Sequence, residues 1–145
     1  MIEQLVERSG FDADYVKSQS EYAPNGSLFA NALNAGNFCG LSNQDKLWTM
    51  QRQIIEELGE KENCVIVGRC ANHILQDNCL SVFIYAPYDY RVQTVIERTG
   101  REEKSVQKLV KKVDKERRTY YEYFTDRKWT DLSQYHLSID SSKFD

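Results

Sequence analysis

The chain has 145 residues, 41% of them apolar and 28% charged, which is the composition of one ordinary globular domain. Its net charge of −3 excludes a global electrostatic pull toward nucleic acid or anionic membranes. No apolar run reaches the roughly 18 residues of a membrane span, and no charged-then-apolar leader opens the chain, so a cytoplasmic protein is expected.

Ile2, Leu5 and Val6 predict a short amphipathic helix closed by Ser9-Gly10. Asp12 is placed to cap a second helix through about Ser20. The stretch 21–41 is turn-rich, with Pro24-Asn25-Gly26-Ser27 and Gly36-Asn37, and Leu28 to Leu33 predicts a short helix inside it. Ser42-x-x-Asp45 resembles a capping box and precedes Leu47, Met50, Ile54 and Leu58 at helical spacing, with Gly59 as the expected stop.

Cys64 to Val67 is a short apolar, β-branched run that reads as a buried strand of a parallel sheet. Ala71 to Leu75 opens another helix, and Leu80 to Tyr85 is a second β-rich run. Pro87 suits the first position of a helix to about Thr99, and Gly100 separates it from a long helix over about 102–124. Val106, Leu109, Val110, Val113, Tyr120, Tyr121 and Phe124 share a face there, and the aromatic ones read as core or a subunit contact. A turn or short helix at 129–133 and a third strand at 136–139 follow. Strands separated by helices imply crossover connections and a parallel α/β sheet.

The four cysteines lack Cys-x-x-Cys spacing, and Cys64, Cys70 and Cys79 sit in or beside predicted strands, where cysteine acts as a small apolar filler. With only His73 and His136, both read as structural, no zinc site is expected. Gly68-Arg69 at a strand's carboxyl end would aim a guanidinium into the crevice where open α/β sheets bind ligands. Its fork of donors matches phosphate oxygens, although an arginine there also serves to close a strand end. Residues 104–118 hold seven bases and two acids, a solvated helix face or a site for a polyanion such as RNA or polyphosphate.

Taken in order, Gln51-Arg52, Cys64 to Arg69, Val82 to Ala86 with Arg91, and Asp114-x-x-Arg117-Arg118 resemble the cytidylate kinase-like branch of the nucleoside monophosphate kinases. Arg118 to Tyr123, Lys128-Trp129-x-Asp131 and Tyr135 to Ser141 extend the likeness, which covers roughly 42–141. The resemblance implies a three-layer parallel-sheet nucleotide-kinase fold. It also implies transfer of the γ-phosphoryl of ATP, with Mg²⁺, to a nucleoside monophosphate such as CMP. By the same resemblance Arg69, Gln51, Asp114 and Arg91 bind or orient the substrate, and Arg117 and Arg118 are lid arginines that assist transfer. It divides the single domain, 1–145, into a monophosphate-binding helical region over about 1–58 and a lid-like region over about 101–128.

The departures are as informative. No Gly-x-x-x-x-Gly-Lys-[Ser/Thr] loop is present, and Gly36-x-x-x-Gly40 has no strand before it and no lysine after. The fold is therefore expected to be incomplete, lacking the first strand, phosphate loop and first helix, and the isolated chain to be inactive. A non-catalytic nucleotide- or polyanion-binding protein is the alternative. The exposed sheet edge such a loss would leave predicts a homodimer, and no sequence-specific nucleic-acid partner is expected. Cys70 stands where cytidylate kinases proper carry Asp, and Val110 where they carry another lid arginine, which puts CMP preference in doubt.

Overall fold

A computed structural model describes residues 2–14, 16, 43–61 and 63–144. Helix α1 (Ile2–Ser9) buries Leu5 and ends at Gly10, whose N–H returns to the Val6 carbonyl at 3.0 Å with φ of 67°. That left-handed turn suits a residue without Cβ. The Asp12 carboxylate accepts from the Asp14 N–H at 2.9 Å, the capping role expected of it. The remainder of that helix to Ser20, the 21–41 stretch with its 28–33 helix, and Ser42 lie outside the described residues.

Helix α2 (Asn43–Lys61) lays Leu47 and Ile54 against Leu5 and Val16, with Met50 and Leu58 beside them. Arg8 clasps Glu57 through two hydrogen bonds of 2.8 and 2.7 Å, which fixes how α1 crosses α2. Gly59 does not stop this helix, contrary to expectation, since the helix continues to Lys61. Its role is close approach: a Cβ at Gly59 would meet Leu75 Cδ2 at 3.0 Å. The short helix α3 (Ala71–Ile74) thereby packs onto the end of α2.

The expected strand at 64–67 is not a strand. Residues 63–67 make no ladder hydrogen bond among the described residues, and Val65 and Val67 are 94% and 86% exposed. Apolar, β-branched residues fit a pleated, covered surface, but a strand also needs a paired backbone, which composition cannot supply. Cys64 is exposed with them, so the filler reading fails at that position.

Strands β1 (Val82–Tyr85) and β2 (Leu137–Asp140) form a two-stranded parallel sheet, with Val82 opposite Leu137 and Ile84 opposite Ile139. Alternation puts those four on one face and Phe83 on the other. Phe83 packs against Tyr135 at 4.8 Å and Trp129 at 5.9 Å between ring centres, while Val82, Ile84 and Leu137 are exposed. The parallel crossover is as expected, but the three-layer stack is not seen among the described residues, where the aromatic cover lies on the Phe83 face.

Between the strands run α4 (Tyr88–Thr99) and α5 (Glu103–Thr125). Pro87 caps α4 rather than filling its first turn, and Gly100 closes it at φ 64°. Val92, Val106 and Val110 join the two helices, with Tyr88, Val95 and Ile96 around them. A 3-10 turn, Leu132–Gln134, leads into β2, capped by Asp131, which Ser133 holds well below the ordinary carboxylate pKa through side-chain and backbone hydrogen bonds. His136 takes the structural part expected of it, accepting on Nδ1 from the Ser81 N–H at 3.0 Å.

Candidate functional site

Gly68, Arg69 and Cys70 all have positive φ, at 72°, 56° and 56°. The Ala71 N–H closes this corner onto the Gly68 carbonyl at 3.1 Å and starts α3. The turn drives Cys70 inward, where it packs with Tyr120 and Tyr121 under Trp48, Phe124 and Trp129. Burial pushes its thiol up to about 12, so it stays protonated and neutral. A side chain so enclosed serves packing, which is what position 70 does here in place of a carboxylate.

Arg69 turns the other way and donates from Nη1 to Gln51 Oε1 at 2.9 Å. Gln51 is only 2% exposed and donates from Nε2 to the Tyr120 hydroxyl at 2.8 Å. Trp48, one turn earlier on α2, stacks on Phe124 of α5 with ring centres 4.3 Å apart. Three segments distant in sequence thus meet around one buried amide. Glutamine is the residue type for this task, since one amide can receive a guanidinium and give a hydrogen to a hydroxyl.

The second cluster joins α4 to α5. Arg91 Nη1 donates to both Asp114 carboxylate oxygens at 2.8 and 2.9 Å, and its Nε donates to the Ala86 carbonyl at 3.1 Å. Arg91 therefore spans the exit of β1 and the middle of α5. This is a pair across helices, joining α4 to α5.

Arg117 lies between the two clusters. At about 100° per residue it shares the inward stripe of α5 with Val110, Tyr121 and Phe124, three residues past Asp114 and three before Tyr120. Its side chain is exposed and makes no ion pair among the described residues. Arg118 is turned about 100° further round the helix, onto its solvent flank. The structure brings Gln51 to Arg69 and Arg91 to Asp114, and it separates the two adjacent arginines onto different faces.

Two partners were not singled out from sequence. Tyr120 read as core, although a buried tyrosine hydroxyl calls for a polar partner. Asn72, three residues past Arg69, donates to the Tyr121 hydroxyl at 3.0 Å, and that hydroxyl donates on to Gln134 at 3.4 Å. Nearby, His73 Nδ1 is buried with no hydrogen-bond partner among the described residues. Burial, then Arg127 and Arg52, lower the pKa of that imidazole and keep it neutral.

No ATP- or Mg²⁺-holding set is seen among the described residues. Among them no three His, Cys, Asp or Glu side chains gather to hold a metal, and no glycine-rich loop opens a helix to cradle phosphates. Likewise, no described helix is long and apolar enough to cross a membrane.

A crystal structure of an uncharacterized protein from Eubacterium ventriosum ATCC 27560 superposes with a TM-score of 0.61 at 36% sequence identity. The match covers 68% of this chain and 63% of that one, so the likeness spans less than two thirds of the relative's length. No curated protein matches the chain. The model of the cytidylate kinase-like family matches residues 1–143, nearly the whole chain, and the chain belongs to that family.

Proposed function

We propose that this chain carries the acceptor side of a kinase-like phosphotransferase on a nucleotide-kinase fold, with a nucleoside monophosphate of the CMP type as its ligand. The observation that carries the reading is the buried Gln51 amide gripping Arg69 at 2.9 Å. A guanidinium oriented in advance meets a phosphate with little left to order. Arg117, on the inward stripe of α5 between the Asp114 and Tyr120 turns, adds charge neutralisation as the helix pair α4–α5 closes. Arg91 and Asp114 position that pair and are not assigned contact with the ligand. Arg118 flanks the same turn from the solvent side. No donor-side step is assigned to the described residues. The same feature supports a second reading, in which the chain binds a nucleotide without turning it over.

Calorimetric titration with CMP and UMP tests the site. Arg69→Ala should weaken monophosphate binding by about 10- to 100-fold, the effect of roughly 1.5–3 kcal/mol for a charged hydrogen bond. Unchanged affinity in that variant overturns the assignment. Phosphoryl transfer from ATP to CMP by the purified chain, measured beside a no-protein control, separates the phosphotransferase reading from the binding-only one.

A further inference from the structure

The outer face of α5 carries a row of cations. Lys104, Lys108, Lys111, Lys115 and Arg118 follow one another at intervals of four, three, four and three residues. At about 100° per residue all five fall within a sector of about 80°, and at about 1.5 Å per residue the row is about 21 Å long. All five are exposed, and none makes an ion pair among the described residues. The carboxylates that accompany this helix are off the row. Glu116 pairs with Lys112 at 3.7 Å on one flank, Asp114 is taken by Arg91 on the other, and Glu103 accepts from Gln107. Glu122, the next residue in line, ends the row and accepts from the Trp129 N–H at 3.4 Å. Lys111 rests over the Tyr88 ring, 5.6 Å from its centre, which holds the chain end in place while leaving its charge outward.

A row like this costs self-repulsion, and the net charge of −3 shows that it is not a by-product of a basic protein. We infer that this face docks the phosphodiester backbone of a nucleic-acid duplex, without reading its sequence. Charge complementarity argues for a polyanion, and the straightness of the row argues for a rigid one. A membrane surface is disfavoured because the row contains no apolar side chain to insert, the apolar side of α5 being packed on α4 and α2. A single strand is disfavoured because the row offers no aromatic platform for bases. The face lies on the opposite side of α5 from Arg117, so this inference stands apart from the monophosphate site.

The experiment is fluorescence anisotropy of a labelled 20-base-pair DNA duplex (about two turns) titrated with the full chain across a salt series. Binding should weaken with salt, with a log–log slope near about −4 if four or five phosphates are neutralised. The variant Lys104→Gln/Lys108→Gln/Lys111→Gln/Lys115→Gln should bind at least about tenfold more weakly, with a slope reduced by about 3.6. The matching Lys→Arg variant should bind as the parent does, which separates lost charge from lost folding. A salt-independent signal, equal binding by the glutamine variant, or binding to anionic phosphatidylserine vesicles without binding to duplex would each overturn the inference.

Discussion

Arg69 donates to Gln51 at 2.9 Å across 18 positions of sequence, and the amide that receives it is almost wholly buried. The exposed end of the site is thus held by a group that solvent cannot reach. Gln51→Leu keeps the volume and removes both hydrogen bonds, leaving the Tyr120 hydroxyl buried without this donor. The variant should lose about 1–3 kcal/mol of stability by urea denaturation and should also weaken CMP binding. A parental urea midpoint would mean that the bridge contributes nothing in solution.

Arg91 and Asp114 are each partly exposed, so their pairing is screened. A double-mutant cycle with Arg91→Ala and Asp114→Ala should give a coupling of about 1 kcal/mol. Arg91→Lys should recover only part of it, because an ammonium cannot bond both the carboxylate and the Ala86 carbonyl in the same fork. Additive single effects would show that this pair does not help to hold α4 to α5.

The cysteines differ in reactivity for stated reasons. Cys64 is exposed, while Cys70 is buried with its thiol raised to about 12. Alkylation of the native protein at mildly alkaline pH, read by peptide mapping, should label Cys64 and leave Cys70 unmodified until denaturant is added. Early labelling of Cys70 would contradict the closed corner.

His73 gives a pH dependence of known sign. Burial, then Arg127 and Arg52, lower its folded pKa, so the unfolded chain binds the proton more readily. Its contribution is fully present above the unfolded value of about 6.5 and is lost as pH falls toward the lower folded value. Between about pH 7.5 and about pH 5.5, the thermal midpoint of the parent should drop further than that of His73→Gln. Equal drops in the two proteins would remove His73 from the acid response.

Helices α4 and α5 were legible from the sequence because local chemistry marks both their ends. Pro87 and Gly100 bracket α4, and the apolar stripe of α5 repeats over about five turns. The strand at 64–67 was misread because an apolar run states a preference for burial and says nothing about which backbone will pair with it. Gly59 was misread for a related reason, since its meaning lies in Leu75, on a different element. Within the site, Arg69 stood out through the glycine before it. The Gln51–Tyr120 bond did not, because its two residues are 69 positions apart and neither has a local signature.

The corner at 68–70 sets the character of the whole site. A non-glycine residue with left-handed backbone costs about 1–2 kcal/mol, and Arg69 and Cys70 both adopt that conformation, one after the other. Such a sequence relaxes unless its neighbours prevent it, and here the aromatic cluster grips Cys70 while Gln51 grips Arg69. The corner behaves as a sprung clip, wound only while both grips hold.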